Sequence, residues 1–263
     1  MLALLDGLGD LMTEKGYETK SSLAQQILAM SYGGRKMKIG LLVIATNKYI
    51  KFVYPLWESV KRHFMTKTPH EVTMFVFTDQ PDVPPGTVRI PHEHKPWPAP
   101  TLMRYHAFLE NQDKLKDQDY LFYCDADMLF VDDVGEEILG EVVATIHPGF
   151  YNKPREQFSY ETRPQSQAYM PPGCGTQYFA GGFNGGRATR YLGMAKELAG
   201  WIDRDKKNGI IAVWHDESHW NKWLAGNPPT VKLSPSYCYP ESWALPFPKK
   251  LLALDKDHAE MRS

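Results

Sequence analysis

The sequence has little of what usually assigns a chain quickly. Its three cysteines, Cys124, Cys174 and Cys238, are odd in number and widely spaced, with no Cys-x-x-Cys pair among them. That excludes a thiolate metal knuckle and a disulfide framework, and it fits a reducing compartment. No apolar run approaches the roughly 20 residues of a bilayer span, and the N-terminus lacks the ordered regions of a signal peptide. A soluble, cytoplasmic protein is the expectation. Charge of one sign is also lacking: 30 basic and 31 acidic residues leave a formal net charge of −1. No strong field therefore draws the chain to nucleic acid or to an anionic membrane. There is no Walker lysine, and no Gly-x-Gly-x-x-Gly turn follows a strand.

What is present is enough for a large core. The 263 residues are 43% hydrophobic and 13% aromatic, with seven tryptophans, and aromatic faces commonly bind sugar rings and bases. Residues 1–36 read as an extension, helical from Met1 to about Met30, before the core opens at Met37. A strand is expected over Ile39–Ala45, a helix over Phe52–Phe64 and a strand over Val72–Phe77. A helix over Thr101–Leu115 then leads into a strand ending at Asp125, and Val142–Ile146 is another strand. Strands separated by helices point to an α/β fold with a mainly parallel sheet, which binds ligands outside the carboxyl ends of its strands. Residues 147–186, rich in Gly, Pro and aromatics, break the pattern and read as a functional insertion. Helices are expected over Thr189–Asp205 and Glu217–Leu224.

The most informative stretch is Tyr120-Leu121-Phe122-Tyr123-Cys124-Asp125-Ala126-Asp127-Met128. An apolar strand delivers two carboxylates one residue apart, and strand alternation would place them on one side. Two hard oxygen ligands short of a full cage suit Mg²⁺ or Mn²⁺ completed by phosphate or water; a solvated turn is the plain alternative. Trp214-His215-Asp216-Glu217-Ser218 fits either an acid/base or nucleophile site or an N-cap, with Asp216 or Ser218 opening the next helix. Gly181-Gly182 and Gly185-Gly186 fit either close backbone approach to a ligand or a packing turn. Composition alone reads Arg104 as a surface cation, Tyr49 as a half-buried core residue, His147 as structural, and Lys256, His258 and Arg262 as solvated tail charge.

These signals occur in a familiar order. The chain resembles the family 6 glycosyltransferases in Phe75-Val76-Phe77-Thr78-Asp79-Gln80-Pro81, Asp125-Ala126-Asp127-Met128, His147-Pro148-Gly149-Phe150-Tyr151 and Arg163-Pro164-Gln165-Ser166-Gln167-Ala168-Tyr169. It does so again in Tyr178-Phe179-Ala180-Gly181-Gly182-Phe183, Trp214-His215-Asp216-Glu217-Ser218-His219 and Leu233-Ser234-Pro235-Ser236-Tyr237. The likeness runs from about Lys38 to Arg262. It implies a GT-A fold: one Rossmann-like domain over 37–263, with an acceptor-binding insertion and a flexible C-terminal tail. It also implies retaining transfer of GalNAc or Gal from the UDP-sugar to the 3-hydroxyl of an acceptor galactose that is free or fucosylated.

By the same resemblance, Asp125 and Asp127 hold Mn²⁺, with Mg²⁺ as a substitute, and Glu217 is catalytic. Ile44 and Tyr49 meet the nucleotide, Arg104 and Asp216 the donor sugar, and Lys256 and Arg262 the diphosphate. Ala180, Gly181 and Gly182 face the sugar's 2-position, where small residues favour GalNAc. His147, Ser159, Trp214 and Glu217 meet the acceptor. Having no anchor or stem, the chain resembles bacterial or phage members, in the branch that keeps both acids. The alternatives from other classes are a catalytically silent nucleotide-sugar or glycan binder and a UDP-sugar hydrolase.

Overall fold

The computed structural model describes residues 35–257 together with Ala259 and Met261. The helix expected over Met1 to Met30 lies outside them, as do His258 and Arg262. The described chain opens with β1 (Lys38–Ile44), buried after its first residue. A 3₁₀ turn (Asn47–Phe52) leads into α1 (Val53–His63), then β2 (Glu71–Thr78) and β3 (Val88–Pro91) follow. Where one helix was expected over Thr101–Leu115 there are three short ones: α2 (Ala99–Leu102), α3 (Arg104–Glu110) and α4 (Gln112–Leu115). They are parted at Met103 and Asn111, whose ψ angles of 14° and 17° leave the helical range.

β4 (Tyr120–Cys124) is buried throughout, β5 (Met128–Phe130) resumes after a turn, and β6 (Val142–Ile146) lies where the apolar run predicts it. β7 (Phe179–Arg187) precedes α5 (Ala188–Lys207) and α6 (His215–Gly226). The short strands β8 (Val231–Leu233), β9 (Tyr239–Pro240) and β10 (Leu251–Ala253) close the described chain.

Seven strands form one sheet in the order β3-β2-β1-β4-β7-β6-β8. All neighbours run parallel except β7, which is antiparallel to β4 and β6. Strand alternation sorts β4 between two cores. Leu121 and Tyr123 pack with Tyr105 and Phe108 of α3, Leu198 of α5 and Trp220 of α6. On the other face Phe122 stacks on Phe183 at 5.8 Å, with Phe64 and Phe130 around them. Each fully buried ring contributes roughly 1.5–3 kcal/mol.

β7 takes the end of the stretch 147–186, read from the sequence as an insertion that breaks the pattern, back into the sheet. Its glycines hide it from strand propensity, yet they are what admits it beside β4: a Cβ at Gly185 would fall 2.5 Å from the Leu121 carbonyl oxygen. Against β6 the register slips between Ala144, opposite Asn184, and Thr145, opposite Ala180. The residues bulged out there are Gly181, Gly182 and Phe183. Bulges of this kind occur next to active sites, where they re-aim the chain.

A second sheet, β5-β10-β9, lies at the carboxyl end of β4. Through it Leu254 N donates to Asp127 O at 2.9 Å, bringing the tail to the end of the central strand.

Candidate active site

One cleft of about 280 Å³ gathers most of the residues singled out from the sequence. It is lined by Ile44, Tyr49, Arg104, Asp125, Asp127, Gly181, Gly182, Trp214, Asp216, Glu217 and Lys256. Ala180 does not line it; it is buried opposite Thr145, because the bulge turns only the residues after it towards the cleft. His147 and Ser159 sit in the insertion outside the cleft lining. His147 approaches it indirectly, its ring 5.6 Å from that of Tyr178 and edge-on. Arg262 lies outside the described residues.

β4 ends at Cys124, so Asp125 and Asp127 belong to the turn before β5 rather than to a strand face. They still converge on the cleft. Tyr123 donates its hydroxyl to Asp125 Oδ1 at 2.6 Å. Asp127, largely buried, is pushed above the usual carboxylate range by burial first and by Asp125 second. The Lys256 ammonium offsets this through an ion pair with Asp127 Oδ2, and it also lies 5.2 Å from the centre of the Tyr49 ring.

Arg104 is no surface cation: it is 4% exposed. Its Nη1 donates to Gly181 O at 2.9 Å, its Nε lies 2.8 Å from Asp216 Oδ2, and its Nη2 lies 3.7 Å from Asp125 Oδ1. The guanidinium covers the Tyr123 ring at 4.0 Å. Burial opposes its charge, but Asp216, Tyr123, Asp125 and Tyr105 together more than restore it, so it stays protonated. It therefore joins the two ends of the cleft.

Neither Asp216 nor Ser218 caps α6. The helix starts at His215, whose φ of 53° sets the sharp entry, and Ser218 Oγ instead accepts from Trp214 N at 2.9 Å. This start places Asp216 and Glu217 in the first turn. Burial raises the Asp216 carboxyl to about 7 against the pull of Arg104. The Arg104 contact is an ion pair without hydrogen-bond alignment, so both Asp216 oxygens lack a hydrogen-bond donor among the described residues. A buried carboxylate in that state is suited to receive the hydroxyls of a ligand.

Glu217 is fixed at both oxygens: Tyr178 donates to Oε1 at 2.9 Å and Gly181 N to Oε2 at 2.8 Å. Burial outweighs these two donors and raises its carboxyl to about 7. The two glycines of the bulge separate the charged centres. A Cβ at Gly181 would sit 3.4 Å from Glu217 Oε2, and one at Gly182 would sit 2.9 Å from Asp125 Oδ2.

Several residues that serve this arrangement were not singled out from the sequence. Tyr123 precedes Asp125 by two, a spacing that could have flagged it. Asn221 lies one helical turn after Glu217 and pins α6 to β7, accepting from Phe179 N and donating to Phe179 O and to Glu217 O. Tyr178 opens one of the family-like stretches, but nothing local ties it to Glu217. Trp97, 5.0 Å from His215 and edge-on to it, comes from a loop far along the chain.

Comparison with known proteins agrees with this geometry. The family model for glycosyltransferase family 6 matches residues 16–263. The chain belongs to glycosyltransferase family 6. The match begins ahead of Met37, and the α/β architecture with its mainly parallel seven-stranded sheet is that of a GT-A glycosyltransferase. The chain is 40% identical over 241 residues to histo-blood group ABO system transferase 1 of Rattus norvegicus, covering 86% of this chain and 68% of that protein. It is 34% identical over 252 residues to globoside alpha-1,3-N-acetylgalactosaminyltransferase 1 of Homo sapiens, covering 90% and 72%. This family 6 chain is thus a glycosyl-transferring enzyme, and among its described residues no helix is long and apolar enough to cross a membrane.

Proposed function

We propose that the enzyme is a retaining, divalent-cation-dependent α-1,3-glycosyltransferase. It moves N-acetylgalactosamine, or galactose, from the UDP-sugar to the 3-hydroxyl of an acceptor galactose. The observation that carries this reading is the two-glycine floor of the cleft, which puts Asp125 beside one glycine and Glu217 beside the next. A sugar pyrophosphate has the matching polarity: a phosphate end needing a cation and an anomeric carbon needing a carboxylate. The name of the human relative supports the linkage and the acetamido sugar.

The donor set fits a divalent cation. Two hard carboxylates line the cleft together, Asp127 is held above its usual range by burial and Asp125, and a lysine ammonium supplies the positive charge they call for. Asp125 and Asp127 would hold Mn²⁺ or Mg²⁺, which as a Lewis acid would offset charge on the departing diphosphate. Lys256 can move from Asp127 to the phosphates, and Tyr49 offers its ring to the uracil. Asp216 accepts from the sugar hydroxyls and Arg104 donates to them. Glu217, once ionised, meets the positive charge that develops at the anomeric carbon; a covalent glycosyl-enzyme and a short-lived ion pair both preserve configuration. Trp214, 49% exposed, would stack on the acceptor, with His147 on the insertion side.

UDP release from UDP-GalNAc, measured with and without fucosylated lactose and Mn²⁺, tests the proposal. Release that needs both acceptor and metal is expected. Acceptor-independent release as the main activity would make the chain a hydrolase, and no release would make it a binder.

A further inference from the structure

The family-like stretch Arg163–Tyr169 has no part in the chemistry above, yet it is tied to the segment that delivers that chemistry. Glu161, 2% exposed, accepts four hydrogen bonds. Its Oε1 takes Arg163 N and Nε, both at 2.9 Å; its Oε2 takes Arg163 Nη2 at 2.6 Å and Val213 N at 2.9 Å. Arg163 Nη2 also donates to Ile211 O at 2.6 Å. A second buried carboxylate, Asp205, accepts from Ser166 Oγ at 2.6 Å and Gln167 N at 2.7 Å, while its own carbonyl accepts from Ile210 N at 2.8 Å. The segment from 205 to 213 is thus held at both ends by one loop of the insertion.

Little else fixes its far end. Ile211 and Val213 are 47% and 49% exposed, so their side chains bury too little to hold the backbone, and only Ala212 points inward. The next residues are Trp214, His215 in its left-handed conformation, Asp216 and Glu217. A shift in the Val213–Trp214 peptide would carry straight into the start of α6.

We infer that Glu161 and Arg163 are positioning residues for the transfer. They touch neither substrate but hold the Val213 peptide so that Trp214 and Glu217 present to the acceptor side of the cleft. The inference rests on Glu217 being the reacting carboxylate. Displacing a reacting group by about 1 Å can lower a rate on the order of 10²-fold. Glu161→Ala should therefore cut kcat by roughly ten- to a hundred-fold, raise the acceptor KM, and leave UDP binding within about twofold, since no donor-side group contacts the clamp. Glu161→Gln, which can still accept from Val213 N, should recover most of the rate. Hydrogen exchange should quicken over residues 210–217 and not in β1 or β4. If Glu161→Ala does not fold, Arg163→Ala, at a half-exposed side chain, gives the same readings by releasing Ile211 O.

A variant that is less stable but keeps wild-type kcat and acceptor KM would overturn the inference, as would equal loss of UDP binding. Unchanged exchange over 210–217 would overturn it as well. Failure of the wild type to transfer any sugar would instead overturn the proposed function, and the exchange experiment reads the clamp independently of it.

Discussion

The two sides of the cleft are built by different means. On the side proposed for the donor the groups sit just past β1 and β4 and in the bulge of β7, where the sheet's repeating hydrogen bonds and two apolar faces fix the backbone before any polar group is added. On the side proposed for the acceptor, residues 147–178 have almost no ladder. Single side-chain bonds stitch them together: Arg155 to the carbonyls of Cys174 and Pro171, Tyr160 to that of Gln177, and Glu161 to Val213. A small cluster of Tyr160, Met170 and Tyr178, with Phe150 and Phe158 against it, is the local core. A periodic scaffold tolerates strained, charged groups at its edge, whereas a stitched loop depends on each stitch.

If the donor side is a rigid scaffold with functional charges at its rim, removing those charges should abolish activity and spare the fold. This is the largest expected effect. Glu217→Gln should lower kcat by roughly 10²–10⁴-fold, and Asp127→Asn by roughly 10²–10³-fold, with EDTA acting likewise on the wild type. Thermal unfolding of Asp127→Asn should be unchanged or slightly raised, because a carboxylate disfavoured by burial and by Asp125 has been removed. Full activity in EDTA would show that the two aspartates hold no needed cation.

Arg104 should break that separation of activity from stability. It is buried between Asp216, Asp125 and the Gly181 carbonyl, so Arg104→Ala leaves the Asp216 charge unpaired in the interior. Such changes destabilise by about 3–5 kcal/mol, and urea titration should show it alongside lost transfer. A loss below about 1 kcal/mol would mean that Asp216 simply takes up a proton.

The same contrast explains what could be read from the sequence. β1, β2, β4 and β6 follow apolar runs, and α1 and α5 follow helical spacing, because those elements bury continuous surfaces with a period. The aspartates, the Trp214–Glu217 run and the glycines were visible because charge or flexibility at the end of an apolar run is unusual. β7 was hidden because the glycines that let it approach β4 also erase strand propensity. The Tyr178–Glu217 and Glu161–Val213 bonds were not legible at all: they join residues 39 and 52 apart by single contacts that no local pattern records.

Acid should act with opposite sign on two sets of buried groups around the cleft. His219 and His147 are buried and lowered from 6.5 to about 4; Asp205, 3.6 Å from His219, and Glu161 oppose the burial of His219 without overcoming it. As pH falls from about 6.5 to 4 the unfolded chain takes these protons and the folded one cannot, so each histidine withdraws about 3 kcal/mol of stability. Glu217 is raised from 4.5 to about 7, so between pH 7 and 4.5 the folded state takes the proton first and gains about the same. Glu217→Gln removes that gain and should steepen the acid loss seen in urea unfolding, whereas His219→Gln should flatten it. Identical pH profiles for the two variants would contradict the opposition.

The smallest expected effect is the choice of donor, and it asks whether the bulge acts as scaffold or as specificity pocket. Small residues at 180 and 182 suggest room for an N-acetyl group and a shift towards galactose on enlarging Gly182. The geometry changes the second half of that expectation. A Cβ at Gly182 would lie 2.9 Å from Asp125 Oδ2 and 3.0 Å from Met128 Cε, so it presses first on the carboxylate proposed to hold the cation. Gly182→Ala should therefore slow transfer from both donors rather than exchange one for the other. Gly181 is the cleaner probe, since a Cβ there meets Glu217 Oε2 at 3.4 Å, an ordinary contact. For the wild type, one well-seated amide should favour UDP-GalNAc over UDP-Gal by about 1.4 kcal/mol, roughly tenfold in kcat/KM. A Gly182→Ala enzyme that keeps its rate and merely reverses the donor ratio would show that the glycine serves the sugar and not the aspartate.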